Sequence, residues 1–377
     1  MKARSLSVKE LEGPLRFLLV FGLIYVFLVG VSSLEAGIKI MGEDTQESLF
    51  SAASNPIAAL CIGILGTVLV QSSSASTSVI VGLVASGALG VDDAVPMVMG
   101  ANIGTTVTNT LVSLGHIRQS NEFRRAFAAA TVHDFFNVLA VLLLLPIELA
   151  TGVISDTAKW ISERLVGSSG TEWKSPVKAW VKEPVGLLQD FWAAVGTSGN
   201  VQGVLMVLTG LVVILIALSL ITKNMRSLVA DRVERSINAM LSRGGGTVAL
   251  FLGLVITIAV QSSSITTSIL IPLAGAGVIS LRNAYPVTLG ANVGTTITAL
   301  LASLAASSPE SLTVALAHST FNVMGIFFLY VIPLARDIPV KAAERLADVA
   351  VERRALAVAY VAIVFIALPF FGVVVLG

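Results

Sequence analysis

The sequence predicts an all-α polytopic membrane protein made of two inverted-topology repeats, each with a re-entrant helical hairpin carrying a Gln-Ser-Ser-Ser motif. Three observations lead there. Hydrophobic residues make up 55% of the 377 residues and charged residues 12%, and the mean hydropathy is +0.88. A soluble domain with so few charges could not cover its surface. Apolar runs of spanning length recur along the chain. Finally, one polar motif interrupts apolar sequence twice, as Gln71-Ser72-Ser73-Ser74 and Gln261-Ser262-Ser263-Ser264, followed by Thr77-Ser78 and Thr267-Ser268. Unpartnered polar groups cost several kcal/mol in hydrocarbon, so a duplicated polar cluster points to something polar bound there.

The first run, 15–34, follows Lys2, Arg4, Lys9 and Arg16 and carries no small-residue cleavage site, so it reads as a retained first helix. Further runs lie near 94–115, 126–150, 202–222, 284–305, 312–334 and 355–376, each near the roughly 20 residues that cross the hydrocarbon core. Segments 56–90 and 246–280 differ. The Ser-rich motif breaks each into arms of about 15 residues, too short for full crossings, so both are expected to be re-entrant hairpins. Pro96 and Pro286 are expected to begin the helices that follow them.

Lys and Arg concentrate in cytoplasmic loops. Arg118, Arg124 and Arg125 mark one inside loop, Lys223 to Arg243 a second, and Arg336 to Arg354 a third, where a cytoplasmic surface helix is expected. Segment 151–200 mixes Lys159, Lys174 and Lys178 with Asp156, Glu172 and Glu183, and reads as a large outer loop. With the N-terminus inside, parity brings the first hairpin in from outside and the second from the cytoplasm. The organisation is then 1–150 for the first helix and first repeat, 151–200 for the outer loop, 201–335 for the second repeat, and 336–377 for the surface helix and last span.

Sliding the chain by 190 positions aligns residues 62–114 with 252–304 at 23 identities in 53 positions, an internal repeat. After a five-residue slip, His133-Asp134-Phe135-Phe136-Asn137 lies over His318-Ser319-Thr320-Phe321-Asn322. Two halves of opposite orientation with broken segments reaching the midplane are a design of secondary transporters. Half-helix N-termini at the Ser runs suit an anion. Hydroxyl and amide oxygens of Thr77, Asn102, Thr105, Thr106, Thr267, Asn292, Thr295 and Thr296 suit a hard monovalent cation such as sodium. Gly100, Gly104, Gly290 and Gly294 permit unwinding and close backbone approach. No Lys or Arg lies in the apolar cores of the repeats, so co-bound cations are the expected counter-charge of the anion. Asp134 is the one carboxylate that breaks the repeat, a cation ligand or proton acceptor by its depth. His133 and His318 more simply hydrogen-bond across helices.

A net charge of +1 gives no field for nucleic acid. The lone Cys61 reads as a small core residue, and neither a zinc spacing, a Walker pattern nor a placed Ser/His/Asp set is found, so no enzyme and no cofactor are expected. A sodium-coupled carboxylate transporter and a passive anion channel are the rival readings of the same residues.

At these motifs, and at Phe123-Arg124-Arg125-Ala126-Phe127-Ala128-Ala129-Ala130-Thr131-Val132-His133-Asp134, the chain resembles the type II sodium-phosphate cotransporters over roughly residues 15–335. The resemblance implies sodium-coupled uptake of inorganic phosphate in the bilayer, with phosphate between Gln71–Ser74 and Gln261–Ser264 and sodium as coupling ion. It implies a second sodium near Asn137 and Thr295. Through Ala128, Ala130 and Asp134 it implies electrogenic transport of divalent phosphate with three sodium ions. The outer loop without cysteines looks bacterial, which would place the protein in a bacterial inner membrane. His116, Gln119 and Ala291 depart from the residues animal members carry there.

Overall fold

The computed structural model describes residues 8–42, 51–166, 176–243, 245–306 and 308–377. Lys2, Arg4, Glu172 and Lys174, used above for orientation, lie outside the described residues. Among these the chain is helical, with no strand. The helices are α1 (Val8–Met41), α2 (Pro56–Val70), α3 (Ser73–Ser86), α4 (Val91–Gly104), α5 (Val107–Leu114) and α6 (Ser120–Thr151). They continue with α7 (Val153–Val166), α8 (Pro176–Ala194), α9 (Gly199–Arg243), α10 (Gly246–Val260), α11 (Ser263–Gly275), α12 (Leu281–Ala305), α13 (Pro309–Ile326), α14 (Pro333–Glu352), α15 (Arg354–Ala362) and α16 (Leu368–Leu376). Among the described residues, six stretches are long and apolar enough to cross a membrane: Leu15–Met41, Ser120–Thr151, Gly199–Met225, Leu281–Ala305, Pro309–Val331 and Arg354–Leu376. Large apolar side chains such as Leu142, Val212, Phe251, Phe370 and Phe371 are exposed, which suits a surface facing hydrocarbon rather than water.

The two Ser-rich segments are helix, break, helix. Gln71 and Gln261 end α2 and α10 in the left-handed conformation, at φ 55° and 56°, the only non-glycine residues with positive φ among those described. Such a residue stops a helix, and the extended Ser72 and Ser262 that follow start the next one as N-caps. Glycine contacts fix the direction of the arms. A Cβ on Gly63 would sit 1.9 Å from the Met97 carbonyl oxygen, and one on Gly100 would sit 1.9 Å from that of Leu60. Gly104 meets Thr67. Contacts that advance together along both helices mean that α2 and α4 run parallel, so α3 between them must carry the chain back. The second repeat copies this residue for residue: Gly253 meets Val287, Gly290 meets Leu250, and Gly294 meets Thr257. Each arm of 15 or fewer residues is about 20–23 Å long, short of the ~30 Å hydrocarbon core.

Helix α1 packs against its repeat counterpart α9 with Gly37 against Gly203 and Gly30 against Gly210 and Ile214, an order that makes the pair antiparallel. Small residues let the two backbones approach where no hydrophobic force drives association. The last helix seats Gly372 on Cys61 of α2, which makes Cys61 the buried packing residue its sequence context suggests.

Four features differ from the sequence reading. The run 94–115 is not one helix but α4 and α5, interrupted at Thr105 and Thr106, whereas its counterpart α12 is continuous. Glycine unwinding is therefore absent at Gly290 and Gly294, where the missing side chains serve close approach alone. Pro96 and Pro286 lie inside α4 and α12, beyond their first turns. Segment 151–200, read as a loop, contains α7 and α8; their mixed charges hide two amphipathic helices from a hydropathy search. The helix expected near 336–354 is present as α14, with Val340, Ala343, Ala347 and Ala350 buried. It ties to both halves through ion pairs of Arg124 with Asp348 and Arg282 with Asp337. Those hydrogen-bonded guanidinium groups hold both carboxyls below the usual carboxylate range.

Candidate functional site

The breaks of the two hairpins meet. A cavity of about 200 Å³ is lined by Gln71, Ser72, Ser73, Ser74, Gln261, Ser262, Ser263 and Ser264, with Val70 beside them. Helix α9 lines one side of it with Leu215, Leu218, Ser219 and Thr222. Liquid water takes about 30 Å³ per molecule, so a small oxyanion with part of its hydration fits. Among the described residues, no charged side chain lines the cavity. Its polarity comes from hydroxyls, amides and two helix N-termini. Ser72 accepts from the Ala75 amide and Ser262 from the Ile265 amide, which leaves the first amides of α3 and α11 with no acceptor inside their own helices. Two helix dipoles with their positive ends toward one small space favour a negative charge there.

The glutamines are held alike in both halves. Gln71 Nε2 donates to the Val68 carbonyl at 2.5 Å, and its Oε1 accepts from Thr108 at 3.1 Å. Gln261 Nε2 donates to the Ile258 carbonyl at 2.7 Å, and its Oε1 accepts from Thr298 at 3.0 Å. Ser74 also reaches Thr298, at 3.3 Å, joining the first hairpin to the second repeat.

Asn102, Asn137 and Asn292, three of the expected cation ligands, come together in a buried polar knot with His133, His318 and Asn322. Its bonds are reciprocal. Asn102 Nδ2 donates to Asn322 Oδ1 at 2.9 Å, and Asn292 Nδ2 donates to Asn137 Oδ1 at 2.7 Å. His133 Nε2 meets Asn292 Oδ1 at 2.5 Å, and His318 Nε2 meets Asn102 Oδ1 at 3.2 Å. Backbone carbonyls decide the orientations. Asn137 Nδ2 donates to the Asn102 carbonyl and Asn322 Nδ2 to that of His318. Each Oδ1 of this pair is then an acceptor, each facing Asn must turn its own oxygen to a histidine, and both histidines must donate from Nε2. The reciprocity is that of a local two-fold axis.

Besides the different backbone acceptors of Asn137 and Asn322, the symmetry fails at Asn109. Asn109 Oδ1 accepts from Thr267 at 2.9 Å and Ser268 at 3.2 Å, and its amide lies 3.5 Å from His133 Nδ1. The equivalent position in the second repeat is Ala299, and His318 Nδ1 is correspondingly buried without a hydrogen-bond partner. Asn109→Ala should lower the thermal unfolding midpoint of the detergent-purified protein, by a free energy of about 1–3 kcal/mol, because it strips a buried histidine nitrogen and a hydroxyl of their partner. An unchanged midpoint would mean these bonds add nothing over solvation.

Asp134 sits apart from the knot's hydrogen bonds. It is fully buried, and its Oδ2 accepts from Thr110 and from Tyr360, each at 3.1 Å. Its Oδ1 has no partner. The remaining expected cation ligands turn back on their own helices: Thr77 to Ser73 O, Thr105 to Ala101 O, Thr106 to Ile103 O, Thr295 to Ala291 O and Thr296 to Val293 O. Thr267 bonds to Ser263 O as well as to Asn109. Each of these hydroxyl oxygens keeps lone pairs for a further contact.

Sequence reasoning did not find Thr108, Asn109, Thr298, Ser219, Thr222 or Tyr360. The 190-residue offset pairs Thr108 with Thr298 and exposes Asn109 as unmatched, so those three carried a signal. Ser219, Thr222 and Tyr360 carried none, because only tertiary packing brings them to the site.

Among the described residues, six membrane-length helices together with two short-armed hairpins that meet at a polar cavity define a multi-pass membrane transporter. The chain belongs to the Na+/Pi-cotransporter family, whose profile matches residues 26–156 and 213–372. It is similar to sodium-dependent phosphate transport protein 2A of Rattus norvegicus, at 36% identity over 438 residues covering 98% of this chain and 68% of the relative. It is also similar to sodium-dependent phosphate transport protein 2B of Homo sapiens, at 34% over 450 residues covering 95% and 65%. No solved structure matches it significantly.

Proposed function

We propose that this chain is a sodium-coupled symporter of inorganic phosphate, with the phosphate held between Gln71–Ser74 and Gln261–Ser264. The convergence of both Ser-capped helix N-termini on one small cavity without charged side chains carries the reading. Hydroxyl and amide donors match the four acceptor oxygens of phosphate, and the absence of a cationic side chain from the lining leaves neutralisation to ions that travel with it. The names of the relatives and the family membership support both substrate and coupling ion.

Alternating access would exchange the conformations of two inverted repeats. The antiparallel pairing of α1 with α9 and the reciprocal Asn/His bonds support inversion, since an axis relating equivalent antiparallel helices runs perpendicular to them. Asn102, Asn137, Asn292, Thr267 and Thr295 would supply sodium ligands in the course of that exchange. Asp134 would hold the third cation, making transport of HPO4 2- electrogenic. Arg124, Arg125 and Arg282 cluster with α14 and the end of α11 on one face, which supports a cytoplasmic side for that face by the positive-inside tendency; a cytoplasmic N-terminus would follow from helix parity, and a bacterial inner membrane from an outer segment without cysteines.

Ser73→Ala and Ser263→Ala should each raise the phosphate concentration for half-maximal uptake by about tenfold, the equivalent of one lost hydrogen bond to a charged group. Arsenate should compete and succinate should not. Strong succinate inhibition with weak inhibition by arsenate would replace phosphate by a carboxylate as the substrate.

A further inference from the structure

Asp134 Oδ2 accepts from two hydroxyls, with the Thr106 hydroxyl also near the carboxyl, while Oδ1, equally buried, has no hydrogen-bond partner among the described residues. Thr110 belongs to the first repeat, on α5. Tyr360 comes from the C-terminal helix, beyond the 15–335 stretch in which the motifs lie. Its ring is held edge-on by Phe127 of α6 at 6.4 Å and by Phe365 at 6.1 Å. The second contact depends on backbone geometry. Tyr360 and Phe365 are five residues apart, a spacing that an ordinary α-helix places on different faces. Residues Ile363–Ala367 form a π-helical turn, with the Leu368 amide donating to the Ile363 carbonyl, and the extra residue in that turn returns Phe365 to the face of Tyr360. The helix beyond the turn is seated by Gly372 on Cys61 of the first hairpin's α2. One helix therefore touches both the Asp134 carboxyl and an arm of the phosphate-binding hairpin.

We propose that Tyr360 is a positioning residue for the cation carried at Asp134: together with Thr110, its hydroxyl fixes Oδ2, and so aims the unpartnered Oδ1 at the ion. The inference rests on the reading of Asp134 as a cation ligand and adds to it a residue from the C-terminal helix. A carboxylate on a single χ1/χ2 pair turns freely unless one oxygen is anchored, and an anchored ligand binds more tightly because less ordering accompanies binding.

The test is sodium activation of phosphate uptake by the full chain in proteoliposomes, for wild type, Tyr360→Phe, Asp134→Asn and the double variant. Tyr360→Phe should raise the sodium concentration for half-maximal uptake about three- to tenfold, less than a directly lost hydrogen bond to a charged group, because the effect reaches the ion only through a carboxylate that Thr110 still holds. The maximal rate at saturating sodium should fall less than twofold. In the Asp134→Asn background the same change should add nothing, because the interaction it removes is already gone. An unmoved sodium half-saturation in Tyr360→Phe, or a fall in maximal rate alone, would overturn the positioning role while leaving Asp134 as the ligand. Wild-type sodium activation in Asp134→Asn would overturn the cation reading itself, and the inference with it. If Tyr360→Phe does not yield a monodisperse protein, Phe365→Leu loosens the same ring without touching the carboxyl, and it should shift sodium activation in the same direction; no shift would count against the proposal.

Discussion

Gly290→Ala should abolish recovery of folded protein, and Gly100→Ala should do nearly the same. A methyl on Gly290 would lie 1.8 Å from the Leu250 carbonyl oxygen and 2.7 Å from the Leu254 amide nitrogen; on Gly100 it would lie 1.9 Å from the Leu60 oxygen. Carbon and carbonyl oxygen approach no closer than about 3.3 Å even in favourable C–H···O contacts. The obstructing atoms are backbone in a helix, so they cannot rotate away, and α10 and α12 must separate by more than an ångström. Overpacking typically costs about 1–3 kcal/mol where side chains can yield, and more is expected here, against a total stability of roughly 5–15 kcal/mol. The separation would also dismantle the Gln261–Thr298 bond that holds the hairpin tip. Size-exclusion profiles of the purified variants check this. Gly66→Ala and Gly22→Ala are the controls, because a methyl at either meets nothing within 4 Å. A monodisperse Gly290→Ala protein with normal stability would mean that the parallel packing of α10 on α12 is wrong.

Asp134→Asn should remove charge movement while phosphate uptake continues. Divalent phosphate with two sodium ions is neutral, and a third sodium makes the cycle carry one positive charge. A membrane potential of 100 mV then contributes about 2.3 kcal/mol per cycle, roughly fiftyfold in the accumulation ratio. Asparagine keeps an oxygen at this fully buried position and loses the charge that, on the proposed reading, would hold the third ion. Uptake by the variant should be indifferent to an inside-negative potential, and solid-supported-membrane currents should vanish. Currents of wild-type size would contradict the assignment of the third cation to Asp134.

The pattern of what the sequence revealed follows from where each signal lies. The hairpins were legible because Gln71–Ser74 and Gln261–Ser264 place polar residues midway through apolar stretches, and length alone then forbids two full crossings. Asp134 stood out because a carboxylate in a span has few bland explanations. The knot was not legible as a knot. His133, Asn102 and Asn322 were visible as residues, but the exchange of partners between repeats depends on tertiary contact across more than 150 positions. The break at Thr105 and Thr106 escaped because the equivalent stretch through Thr295 and Thr296 is an unbroken helix, with the same Gly-Thr-Thr sequence. Helices α7 and α8 escaped because evenly mixed charge looks like a loop to any measure of mean hydropathy. The 190-residue offset sets Asn109 against Ala299, so its signal lies in a departure from the repeat rather than in an identity.

The central claim is that sodium drives phosphate through the cavity where the two hairpins meet. It is tested most directly by radiolabelled phosphate uptake into proteoliposomes at clamped potential, comparing an inward sodium gradient with an equal potassium gradient. Uptake that requires sodium, grows with inside-negative potential and is weakened by Ser263→Ala is the predicted result. Equal uptake in the two salts would contradict it.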